Sequence, residues 1–405
     1  MRILLVSSQY PPVAGGGGVY TFYTANALAS LKTSGGNRKC EVAVLTSCGE
    51  SNPRTERRKP NLRIHYASFA REGRVPYAAV IKYGLEVCRQ FRPTVIHGQH
   101  FDGFYVASQL SAVCSAALVA SFHNSPFGEV TSGLEYKDPR IAFMISAGLS
   151  SDKLVASCLH YKRELVALGL SRTHIKIVWP GLDAGFMVGC AATNRKSVVE
   201  KLRQAGLALP DYDHLILCGA RIDPSKDLET FVRAAATLKA RLMPNARLAF
   251  VIAGKSANQS PEEQAYQSQL EDMAKGMGIA SSLFVTSFNL QEMCSLYKLC
   301  DVCVLPSVRE AMGLVLIEAF TLGVPVVATN LKGISDVVVP DENAVVFPPR
   351  DHDELAVQIH RVLTDHALSR RIRQNAISTS KSRFSATAMG NKLCSFYRYL
   401  LNRSQ

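Results

Sequence analysis

Acidic residues are scarce in this chain: 33 Asp and Glu stand against 46 Lys and Arg in 405 residues. Tryptophan occurs once, and no stretch reaches the ~18 uninterrupted apolar residues that a membrane-crossing helix needs. The opening "MRILLVSSQYPP" has too short an apolar run for the core of a signal peptide and fits the first strand of a sheet. A soluble, cytoplasmic protein is therefore expected, peripheral at most on the cytosolic face of a membrane. The eleven cysteines are odd in number and scattered, and Cys300 and Cys303 form a lone C-x-x-C with no second pair at zinc-ribbon spacing. They read as small buried hydrophobes, so neither a metal nor a disulfide is expected.

What is present begins with a surplus of cations, unevenly spread. Residues 1–183 hold 21 Lys and Arg against 12 Asp and Glu, residues 184–385 hold 22 against 21, and residues 386–405 hold three against none. Part of the excess lies in "PRTERRKPNLR" (Arg54, Arg57, Arg58, Lys59, Arg63), which reads as a solvated loop. A basic face attracts anionic lipid headgroups, nucleic acid or acidic substrates. Nucleic acid is disfavoured, because no basic stripe is interleaved with aromatic residues.

Hydrophobic residues make up 47% of the chain, enough for two cores, and the length suits two domains of about 200 residues each. Short β-branched runs alternate with amphipathic stretches: 2–8, 40–47, 62–67, 94–99, 117–123, 153–158 and 175–181, then 214–220, 247–254, 283–288, 302–307, 325–330 and 344–349. Several are apolar throughout, as strands buried on both faces require. The expected fold class is α/β, with two Rossmann-like doubly wound parallel sheets facing across a cleft. Expected boundaries are 1–183, 184–385 and a helix over 386–405 that crosses back to the first domain. Pro, Gly and small residues in "WPGLDAGFMVGCAATNRKS" mark the break. Open α/β sheets bind ligands beyond the carboxyl ends of their strands, so the chemistry is sought there.

Three stretches fall at such ends. "QYPPVAGGGGVYTF" follows the first strand and opens a helix, where Gly15 to Gly18 let backbone N–H groups close on an anion. No lysine follows as in a P-loop, and a flexible turn remains an alternative. "LILCGARIDPSKDLETF" sets Arg221 and Lys226 across a strand-to-helix turn, where two cations can hold a diphosphate without a metal; ordinary surface cations would look the same in isolation. In "SVREAMGLVLIEAFTLGVPVVATN", Gly313 permits close approach of a ligand and the amides of Leu314 and Val315 open a helix. Glu310 lies on the loop before it. Glu318 lies within the helix, where a carboxylate can accept hydrogen bonds from the vicinal diol of a ribose. "DYD" at 211–213 has the form of a metal-binding Asp-x-Asp but precedes a strand, and reads as a linker turn.

The last of these stretches resembles the signature of glycosyltransferase family 4, the retaining nucleotide-sugar transferases of the GT-B fold. The match rests on the two glutamates with seven residues between them, the following Ala319 and the "GVPVVAT" strand. Pro11, Pro12, Gly15, Gly16, His123, "WPGLD" at 179–183, Arg221, Lys226 and "LPS" at 305–307 fall in the family's order, so the resemblance covers nearly the whole chain. It implies that Arg221 and Lys226 stabilise the leaving diphosphate, Glu318 binds the ribose, and Glu310 lies beside the donor sugar. It likewise places His123 near the transferred sugar, and Gly16 and Gly17 in the loop that meets diphosphate and acceptor. The implied reaction moves a hexose from a UDP-, GDP- or ADP-sugar to a hydroxyl of a glycan or lipid-linked acceptor, with no metal or other cofactor. A sugar-nucleotide epimerase or hydrolase of the same architecture, and a non-catalytic nucleotide-sugar-binding protein, are the alternatives. Two departures from the family pattern, Lys332–Gly333 and Ala344, touch the shape of the donor-sugar pocket rather than the reaction class, and a third, Met312 where an aromatic is common, reads as a packing change.

Overall fold

The structure, a computed structural model, describes all residues except 12–15, 34, 48–52, 68–76, 124–145, 147–149, 209–210, 255–258, 311 and 404–405. The chain divides into two compact units, Met1–Asp183 with Arg383–Gln405, and Ala184–Ser382. Among the described residues no helix is long and apolar enough to cross a membrane.

The strands of the first unit are β1 (Arg2–Ser7), β2 (Glu41–Ser47), β3 (Arg54–Lys59), β4 (Leu62–Ala67), β5 (Val95–Gln99), β6 (Ala117–Phe122), β7 (Lys153–Ala156) and β8 (Ile175–Ile177). They form one sheet in the order β3-β4-β2-β1-β5-β6-β7-β8. Its helices include α1 (Gly16–Ser30), α2 (Tyr77–Phe91), α3 (His100–Cys114) and α4 (Leu159–Ala167). Ile3, Leu4, Leu5 and Val6 of β1 have no exposed surface, which explains the unbroken apolar run: side chains are covered on both faces of the strand.

The stretch expected to be a loop is a strand. β3 pairs antiparallel with β4, while the other pairings in the sheet are parallel. Its "RTERRK" composition hides this, because the strand is at the sheet edge and buries little. Arg54 lies 4.8 Å over the Tyr66 ring, and Thr55 bonds His65 at 2.9 Å. Charge along an edge strand also blocks pairing with a second chain.

The second unit continues with α5 (Ala184–Thr193), α6 (Arg195–Gln204), α7 (Leu228–Thr237), α8 (Pro261–Gly276), α9 (Leu290–Leu299), α10 (Leu314–Leu322), α11 (His352–Thr364) and α12 (His366–Arg383). Its strands are β9 (His214–Cys218), β10 (Leu248–Ala253), β11 (Leu283–Thr286), β12 (Val302–Leu305), β13 (Val326–Thr329) and β14 (Val345–Phe347). They form an all-parallel sheet in the order β11-β10-β9-β12-β13-β14. Capping boxes start α8 (Ser260 with Glu263) and α9 (Asn289 with Glu292). The two units divide after Asp183, within the stretch expected to hold the break, and the small residues that follow form helix α5, which buries Met187, Cys190 and Ala191.

The last helix, α13 (Ala386–Arg403), packs on α1 within the first unit. Leu182 N–H donates to Phe384 O at 2.8 Å and Ala386 N–H to Leu182 O at 2.9 Å, fastening its start. Tyr397, fully buried, bonds His97 Nδ1 of the central strand β5 at 2.6 Å.

Candidate active site

Each sheet reverses its winding at its first strand. From β1 the chain adds β2 on one side and later β5 on the other, and from β9 it adds β10 on one side and β12 on the other. Such a switch point opens a crevice at the carboxyl ends of the two diverging strands. The residues expected to carry chemistry gather at these two places.

In the second unit, Arg221 and the turn Pro224–Lys226 follow β9, and Ser307 to Gly313 follow β12. The turn is built by Asp223, whose carboxylate accepts from Ser225 N–H at 2.9 Å while Pro224 fixes its first position. The two loops are joined: Val308 N–H donates to Ser225 O at 3.2 Å, and Lys226 Nζ reaches Glu310 Oε1 at 2.6 Å. Ser307 Oγ donates to the same carboxylate oxygen at 2.9 Å. The Lys226 and Glu310 side chains are only 17% and 13% exposed, so their attraction is weakly screened. Arg221 is more open, at 59%, with Nη2 3.6 Å from Asp223 Oδ2.

Gly313 has φ of +67°, a conformation that glycine adopts without strain, and α10 starts at the next residue. Leu314 and Val315 are thus the first two residues of a helix, whose N–H groups have no acceptor within it. Glu318 sits one turn on. It is 7% exposed among Leu316, Ile317, Ala319 and Phe320, all fully buried, and Tyr297 Oη of α9 donates to its Oε2 at 2.9 Å. Met312 is buried as well, at 4%. Ala311 lies outside the described residues, as do Pro12 and Gly15. Asp213 is engaged by Arg247, 2.9 Å from Nη2 and 2.8 Å from the backbone N–H.

In the first unit the crevice collects α1, the end of β5 and His123. Gly16 opens α1, and the space beside Gly17 is filled by a ring: a Cβ there would lie 1.7 Å from His100 Nε2. His123 Nε2 is 2.6 Å from Gln99 Oε1, and its ring centroid lies 3.8 Å from that of Tyr20, tilted by 36°, and 4.7 Å from that of His100. With Gln99 presenting an oxygen, Nε2 carries the hydrogen and Nδ1 is the acceptor, buried and without a hydrogen-bond partner among the described residues. Burial holds His123 well below the usual histidine range, with His100 and His97 adding to it, so the ring is neutral at pH 7. His100 is lowered to about 4 for the same first reason. Sequence reading missed Gln99, His100 and Tyr20. The "HGQH" run at the end of strand β5 is the available signal, but only folding brings residues 17, 100 and 123 together.

Two α/β sheets, parallel throughout except for the edge strand β3, with crevices of this kind define the protein class as GT-B. The chain matches Glycosyltransferase Family 4 over residues 14–186 and Glycosyl transferases group 1 over residues 200–379, and it belongs to this glycosyltransferase family. It is 26% identical to an uncharacterized glycosyltransferase of Methanocaldococcus jannaschii, over 98% of each chain. It is also 26% identical to the glycogen synthase of Mycobacterium tuberculosis, over 92% of this chain and 88% of the relative. Among solved structures, the sucrose-phosphate synthase of Thermosynechococcus elongatus shares the fold with a TM-score of 0.78 at 20% identity, each chain covered fully. HepE of Anabaena in complex with UDP-glucose gives 0.75 at 16%, covering 98% of this chain and 100% of that one.

Proposed function

We propose that this glycosyltransferase moves a hexose from a nucleotide diphosphate sugar to an acceptor hydroxyl with retention of configuration and without a metal. The observation that carries this reading is the paired loop system at the β9/β12 switch point: two cations, a glycine-capped helix start and two glutamates within one crevice. Arg221, Lys226 and the amides of Leu314 and Val315 meet the diphosphate. Glu318 holds the ribose, and Glu310 lies beside the sugar. Glu310 Oε1 lies 2.6 Å from Lys226 Nζ, so a diphosphate that pairs with the lysine replaces one anion by another and leaves the carboxylate for the sugar hydroxyls. Charge accumulates on the leaving phosphate as the glycosidic bond breaks, and fixed cations placed there stabilise it. The acceptor attacks from the face that the diphosphate leaves, and the leaving phosphate takes its proton. A donor of this kind is bound by one structural neighbour, HepE, whose structure is a complex with UDP-glucose.

Donor choice is read by thermal shift against UDP, GDP and ADP, since a ligand stabilises by mass action. Transfer is then followed by NMR of the product's anomeric configuration, with and without EDTA. Retention and full activity in chelator are expected. Loss of activity in EDTA restored by magnesium or manganese would overturn the metal-free reading, and an inverted product would overturn retention. Release of free sugar or epimer with no acceptor present would favour the hydrolase or epimerase.

The acceptor is assigned to the first unit and is anionic or held at an anionic membrane. That unit carries 25 Lys and Arg against 12 Asp and Glu, whereas the second carries 21 against 21, so the whole surplus lies on one unit. Flotation with vesicles containing acidic lipid should recover more protein than with neutral vesicles, and the difference should vanish at 0.5 M salt because exposed charges are then screened. Equal recovery from both vesicle types would count against an anionic surface.

A further inference from the structure

We infer that Tyr297 is a positioning residue for nucleotide recognition: its hydroxyl fixes the Glu318 carboxylate in the orientation that reads a ribose diol. The inference rests on the ribose role proposed for Glu318 and extends it to a residue outside the signature.

A carboxylate at this depth is costly unless it is hydrogen-bonded. Glu318 lies on α10 with fully buried apolar residues on either side along the chain. Its surroundings include the thiols of Cys294 and Cys303, whose ionisation it opposes; both are pushed up, first by burial and then by its charge. Tyr297 comes from a different helix, α9, is 1% exposed, and donates to Oε2 at 2.9 Å. A neutral donor bonded to a charged acceptor makes one of the stronger hydrogen bonds, and it fixes which oxygen faces which way. Gly219, directly after β9, lies beside both the phenol and the helix start: a Cβ there would be 3.5 Å from the Tyr297 hydroxyl and 3.3 Å from Val315 Cγ1. Strand end, helix start, phenol and carboxylate thus form one packed group at the β9/β12 switch point. A long, flexible glutamate becomes a directional acceptor only when its torsions are held, and this hydrogen bond holds them.

The experiment compares dissociation constants for the preferred nucleoside diphosphate and for its 2′-deoxy and 3′-deoxy forms. The wild type should bind the ribose form about 10–100-fold tighter, the range for hydrogen bonds to a charged group. Tyr297→Phe should reduce that ratio to about threefold or less while leaving affinity for the deoxy forms nearly unchanged. Its donor KM should rise with kcat largely kept, as for loss of uniform binding. A merely structural role would weaken all three nucleotides together and leave the ratio intact, which overturns the inference. Glu318→Ala separates the two readings. If it keeps the wild-type ratio, the ribose role of Glu318 fails. If it abolishes the ratio while Tyr297→Phe preserves it, only the positioning role fails. Should Tyr297→Phe not fold, Tyr297→Met is read in the same way.

Discussion

Lys226→Ala is expected to lower kcat on the order of 10²–10³-fold, the loss that follows removal of one preorganised donor to developing negative charge. Lys226 has the position for this: it extends from the turn after β9 into the β9/β12 crevice, and its Nζ already contacts a carboxylate oxygen at 2.6 Å. If the cation acts on the transition state alone, kcat and kcat/KM fall together; if it also holds the ground state, KM rises in addition. The substitution strands Glu310, which keeps the Ser307 hydroxyl as partner. Stability should therefore drop by about 1–3 kcal/mol, less than for a fully buried pair that loses one member. Activity must be assayed well below the lowered Tm. Lys226→Arg retains charge but presents a fork in place of a point donor, and an intermediate rate is expected. A kcat within about threefold of wild type for Lys226→Ala would remove the electrostatic account of the reaction.

The second large effect is acid destabilisation of the first unit. His97 has no exposed surface and lies between Tyr397 Oη and Ser121 Oγ, both at 2.6 Å, and burial lowers it to about 3. His65 is lowered to about 4, first by burial and then by Arg63, and His100 to about 4 by burial. Each binds a proton in the unfolded chain near pH 6.5 that the folded protein refuses until much lower pH. Protons taken up by the unfolded state favour unfolding, so stability is complete above about pH 6.5 and is lost as pH falls from there toward 4. Each group contributes up to about 1.4 kcal/mol per pH unit in that window. Three together should lower stability by several kcal/mol, on the order of 4–6, between pH 6.5 and pH 5. Trp179, the one tryptophan, belongs to this unit, and Lys392 and Arg383 lie 4.1 Å and 4.8 Å from its ring. Its fluorescence follows unfolding of the first unit alone. A midpoint temperature that is unchanged between pH 7 and pH 5 would sink the prediction. So would a His97→Gln variant with the wild-type pH slope, because the attribution rests most heavily on that ring.

Most of the β-structure was legible in the sequence because buried parallel strands announce themselves. Thirteen runs were read as strands, and each contains an observed one, from "RILLVSS" to "AVVFPP". β3 was not legible: a strand with one neighbour and an exposed face has no apolar alternation to display, and "RTERRK" is indistinguishable from a solvated loop until Tyr66 and His65 are placed beneath it. Helix α5 was hidden for a related reason, since small residues that pack closely look like a linker. The signature glutamates could be read from spacing, as could the cations five residues apart. Their pairing could not.

The sequence by itself determined the alternation of strands and helices, the family, the residue types available for chemistry and the concentration of positive charge toward one part of the chain. These depend on local periodicity and spacing, which survive without three-dimensional context. Only the tertiary structure decided that Lys226 faces Glu310 across 84 positions, that Tyr297 holds Glu318, that His100 occupies the space Gly17 leaves and that His97 bonds Tyr397 of the last helix. Such contacts are set by strand order and by the switch of winding at β1 and β9. No window of sequence contains that information, because the partners meet only after the whole sheet has closed around them.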